Sequence, residues 1–147
     1  MKQEQIKSLY PGIGDGYQGR LGRDGKINPT AYHILEKRNY LLEGCAFEMD
    51  MMFFNPPFDS LTVVSFHFTG ADFSTCREKT LADLTRRFGA NPRKSNGAIG
   101  GAETGTVTYW QWFGPVTNVT YTEQNSTARH TFEFSISHTG APGTYLE

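Results

Sequence analysis

Two cysteines and four histidines are the side chains of this 147-residue chain best suited to chemistry. Cys76 stands in the first turn of STCREKTLADLTRRFGANP, a segment that reads as a complete helix, and a helix N-terminus lowers a thiol pKa. It is therefore either a thiolate nucleophile working with a histidine base or half of a crosslink. His67 is the nearest base in sequence. Strand alternation in LTVVSFHF puts it opposite Phe66 and Phe68 and beside Glu48, so the sheet would stand between His67 and Cys76. Centring a hairpin turn near Pro57 sets Phe47 by Phe68, Met49 by Phe66 and Met51 by Val64, and brings Cys45 opposite roughly Gly70, six residues before Cys76. The expectation is a Cys45–Cys76 disulfide contributing about 3 to 4 kcal/mol in the chain-entropy picture. A Cys76 thiolate and two plain buried cysteines are the alternatives.

His33, His67, His130 and His138 have no metal spacing: H-E-x-x-H, C-x-x-C and H-x-H are all missing from the sequence. His130 and His138 share a strand face but lie about 26 Å apart at strand rise, too far to share an ion. Asp72, Glu78 and Asp83 gather where helix capping and the macrodipole already explain acidic groups. Gly14-Asp15-Gly16-Tyr17-Gln18-Gly19 spells G-x-G-x-x-G, with no strand before it and no helix opening from it. DGKIN resembles the middle of a calcium loop, yet Arg20, Gly22 and Ala31 stand where ligands are needed. Asn118-Val119-Thr120 and Asn125-Ser126-Thr127 fit the glycosylation pattern, which a Thr- and Asn-rich segment also produces by chance. No catalytic, cofactor-binding or metal set is assigned.

The elements that would hold these groups begin with what composition permits. With 14 Lys+Arg against 15 Asp+Glu, the chain lacks the basic stripe of a nucleic-acid binder. It has no apolar run of the length that crosses a bilayer as a helix. Aromatics at 14%, modest charge and an even cysteine count lean towards export, either periplasmic or secreted, with a leader removed ahead of MKQEQIKSLYPG. A cytoplasmic location is the alternative.

Residues 1–30 read as a glycine-rich N-terminal arm and residues 31–147 as a single α+β domain. CAFEMDMMFF alternates as a half-buried strand with Cys45, Phe47, Met49, Met51 and Phe53 on one face, and NPPFDS turns it into LTVVSFHF. The helix follows, with a Thr75–Glu78 capping box, Leu81, Leu84 and Phe88 on one face, and Gly89 and Pro92 at its end. Residues 91–105 read as a long mobile loop. TVTYWQWF, VTNVTYTE and RHTFEFSIS complete an antiparallel sheet of about five strands, β-β-α-β-β-β, with one main helix on one face. Pairing Phe113 with Val116 makes Trp110, Trp112, Val119 and Tyr121 core and leaves Tyr109, Gln111, Phe113, Asn118 and Thr120 as a binding face. Met52, Phe54, Leu61, Val63, Tyr109 and Phe113 are expected on uncovered faces. Either Tyr10, Ile13 and Tyr17 of the arm or a second copy would cover them, and a homodimer is favoured because ordering glycines is entropically costly.

LEGCAFEMDMMFF, CREKTLADLTRRFGANP and VTYWQW together resemble small exported bacterial α+β domains of uncharacterised function, over about residues 40–123. The resemblance implies an envelope or secreted location and a binding or accessory role, with an unidentified protein or envelope component as partner. The functional expectation is a non-enzymatic binding domain acting through a sheet face or the 91–105 loop. The alternative is a small hydrolase or thiol enzyme using Cys76 or a dispersed histidine.

Overall fold

The computed structural model describes residues 2–21, 27–54, 60–99, 105–127 and 129–138. In order they form α1 (Gln3–Leu9), β1 (Gly14–Leu21), β2 (Ile27–Leu42), β3 (Cys45–Phe54), β4 (Leu61–Phe68), α2 (Phe73–Phe88), β5 (Arg93–Ile99), β6 (Gly105–Phe113), β7 (Thr117–Ser126) and β8 (His130–His138). Every strand joins one antiparallel sheet in the order β1-β2-β3-β4-β8-β7-β6-β5. The chain is thus a helix and a four-stranded meander, written twice, with β4 and β8 meeting at the centre.

This overturns the expected sheet of about five strands with one main helix, because the described residues form eight strands and two helices. The extra strands lie in the segment read as an arm, in residues 27–42 where the arm meets the domain, and in the segment read as a loop. β5, RKSNGAI, is an edge strand of small and polar residues, which carries no apolar alternation to read. Residues 93–99 are therefore paired with β6 rather than looped out, and residues 100–104 lie outside the described residues. β1 is the other edge, glycine-rich and with two register shifts against β2. In β2 the period itself breaks. A bulge between Lys37 and Tyr40, with Asn39 at φ 56°, changes which residues share a face.

The β3–β4 register has the expected pairs Phe47↔Phe68, Met49↔Phe66 and Met51↔Val64. The NPPFDS turn itself falls largely outside the described residues. In β6–β7 the partner of Phe113 is Asn118 rather than Val116. A shift of two preserves faces, so Trp112, Val119 and Tyr121 are still buried. Leu61 is a correction: a register shift between Met52 and Phe53 pairs it with Phe53 and turns it onto the core face.

Both helices cover the same face. Phe47, in contact edge-on with Phe66, Phe68, Phe132 and Phe134, belongs to one buried cluster with Cys76 and Leu84 of α2. Met49, Met51 and Phe53, further along the same face of β3, form a second cluster with Leu35 and Ile6 of α1. Tyr10 and Ile13 pack on this second cluster, so the N-terminal segment covers the helix side of the sheet and not the opposite face. Its ordering is offset by burying Ile6 completely.

Candidate functional site

α2 is fastened at both ends. Asp72 caps it by accepting from the Thr75 backbone N–H at 3.3 Å, in place of the expected Thr75–Glu78 box. At the first turn Cys76 is bonded to Cys45, with Cα atoms 5.8 Å apart, as expected from the hairpin register. With its sulfur in this bond, Cys76 is not a thiol. At the far end the Trp112 indole Nε1–H donates to the Gly89 carbonyl at 2.8 Å, satisfying one of the carbonyls that a helix C-terminus leaves open. Arg77 donates to Glu123 Oε2 at 2.6 Å and lies over the Trp110 ring, whose centroid is also 4.9 Å from Lys94 Nζ. The Tyr121 hydroxyl donates to the same Glu123 oxygen at 3.2 Å, and burial, reinforced by the Glu123 charge, pushes its pKa well above the ordinary value.

Held this way, α2 packs over β6, β7 and β8 but leaves a cleft of about 340 Å³ where the two core clusters adjoin. Phe66 and Phe134, stacked with centroids 4.6 Å apart, are on its lining with Ile136. One wall is α2, with Thr80, Leu84 and Phe88 along one row and Lys79, Asp83 and Arg87 along the next, both at i, i+4 spacing. The other wall is the end of β2. Because the bulge at Arg38–Asn39 shifts the alternation by one residue, Tyr40 and Leu42 line the cleft, with Tyr40 tilted against Phe66 at 5.7 Å. Glu43 and Gly44, both at positive φ (53° and 79°), make the two-residue hairpin turn to β3 and set Glu43 at the cleft.

The lining is mainly apolar with charges on the helix wall. Asp83 accepts from Arg86 and, at 2.8 Å, from Arg87. Such a mixture, in a concavity within the usual size range for small ligands, suits a molecule with an apolar body and a polar end.

The opposite face holds the residues singled out from the sequence. Tyr109, Gln111, Phe113, Asn118 and Thr120 share it, with Gln111↔Thr120 and Phe113↔Asn118 as direct pairs. Phe113 is 62% exposed and the other four are half-buried. None of the five lines the cleft or the smaller polar pocket of about 200 Å³ beside His67. There His67 lies between Asp50, 3.3 Å from Nε2, and Glu133, 2.6 Å from Nδ1, while Glu48 is its direct partner across β3–β4. Hydrogen bonds to Asp50 first and Glu133 second outweigh burial and push the imidazole pKa from 6.5 up to about 10. His67 is thus a fixed cation crosslinking β3, β4 and β8. No group of three or more His, Cys, Asp or Glu among the described residues could hold a metal ion, and no helix among them is long and apolar enough to cross a membrane.

Sequence reasoning missed the cleft because Tyr40, Leu42 and Glu43 reach it through a bulge and a positive-φ turn. Asn39 and the Glu43-Gly44 dipeptide were the available signals, since Asn and Gly favour such backbone. Comparisons with protein families, characterised proteins and solved structures find no match to this chain.

Proposed function

We propose that this chain is a non-enzymatic binding domain of a periplasmic or secreted bacterial protein, and that it holds a small molecule with an apolar body in the cleft between α2 and the end of β2. One observation carries this reading: a helix pinned at both ends leaves an apolar hollow beside it that neither helix fills. A merely structural helix would gain by settling onto Phe66 and Phe134, since apolar surface left wet forgoes about 25 cal/mol per Å². The disulfide supports the exported setting, because such bonds persist in oxidising compartments.

The test is titration with 8-anilinonaphthalene-1-sulfonate, whose emission rises in an apolar site. Saturable binding at one probe per chain is expected, and Leu42→Trp or Ile136→Trp, each checked for unchanged circular dichroism, should abolish it by filling the hollow. Equal probe binding by wild type and both filled variants would overturn the proposal.

A further inference from the structure

We infer that the cleft selects singly charged anionic amphiphiles, an aliphatic tail ending in a carboxylate, with Lys79 reading the charged end. This rests on the binding reading above and adds the ligand class. Three observations support it. The charges on the α2 wall are unbalanced: Asp83 is engaged by both Arg86 and Arg87, so an acidic group that could have neutralised Lys79 is already taken. Lys79 lines the cleft one turn before Asp83, and its side chain makes no ion pair or hydrogen bond among the described residues. The lone acid on the facing wall, Glu43, sits at the hairpin tip. It would repel an anion seated near β2, which leaves the helix side for the head group.

Size limits the tail. At about 30 Å³ for a group of water size, the hollow of about 340 Å³ has room for about ten such groups. That suits one chain of medium length better than the paired tails of a membrane lipid. The stacked Phe66 and Phe134 give the tail a flat aromatic surface, and each added methylene strengthens binding until the hollow is full.

The experiment compares octanoate, 1-octanol and octyltrimethylammonium by calorimetric titration of the intact oxidised chain. Octanoate is expected to bind tightest and the ammonium weakest. Lys79→Gln should weaken octanoate about three- to tenfold, the range for an exposed or half-exposed charge contact, while leaving octanol unchanged. Glu43→Gln should tighten octanoate slightly, and Ile136→Trp should abolish all three. If octanol matches octanoate and Lys79→Gln changes neither, the head-group assignment fails while cleft binding stands. If none of the three binds wild type, or if only phosphatidylglycerol vesicles do, cleft binding fails as well.

Discussion

His67 is the clearest case of a single side chain whose partners fix its behaviour. Its folded pKa, about 10, lies above the ordinary 6.5, so the folded state binds the proton more tightly. The stabilisation is therefore fully present below pH 6.5, declines as pH rises, and is gone once pH passes about 10. Its side chain is 41% exposed, so solvent screening holds the contribution to about 1 kcal/mol or less. We expect His67→Gln to melt below wild type at pH 6 and together with it at pH 10.5; a gap that widens with pH would contradict the assignment. Phe47 is a different kind of residue, fully buried among four other rings, and Phe47→Ala should cost about 3 to 5 kcal/mol by denaturant unfolding. Both positions were legible from strand alternation, which put His67 beside Glu48 and Phe47 in the core. The Asp50 and Glu133 partners were not, since Glu133 arrives through the β4–β8 pairing of segments distant in sequence.

α2 illustrates how an element can be readable in itself yet unreadable in its setting. Its Gly89 end, its apolar row and its cysteine are local signals, and the disulfide followed from one hairpin register, although the cap at its start is Asp72 and not the Thr75–Glu78 box. The open side of α2 depends instead on where the end of β2 lies, and that strand is hidden by its bulge. The disulfide closes a sequence separation of 31 residues, so Cys45→Ser with Cys76→Ser should lower stability by about 3 to 4 kcal/mol. Amide exchange should accelerate first in the turn around Cys76, while the Gly89 end stays held by Trp112. Uniform acceleration along the helix would mean that the two ends are not independent fastenings. Strand β6 starts under a tighter constraint. A Cβ at Gly105 would overlap the Asn125 carbonyl and the Ser126 Cα, so Gly105→Ala should cost about 1 to 3 kcal/mol in thermal unfolding and disturb the β6–β7 end.

The whole molecule is two helix-plus-meander units sharing one sheet, and hydrogen exchange should follow that plan. Slowest exchange is expected in β3, β4, β8 and β7, where both neighbours are paired, and fastest in the edge strands β1 and β5. The duplication of plan escaped the sequence because its two copies share order rather than residues: α1 is short with only Ile6 buried, whereas α2 has 16 residues.

The central pairing of β4 with β8 also determines when the protein can finish folding. Every other strand pair joins neighbours in sequence, but β4 ends at Phe68 and β8 at His138, about 70 residues later. At about 5 to 20 residues per second, a ribosome takes roughly 4 to 14 s to supply the missing strand. During that interval β4, which carries Phe66 and Phe68, is a raw edge with no partner on the side that β8 will fill. The nascent first half is thus a template for unwanted strand addition, and the last hairpin to emerge is the one that closes it.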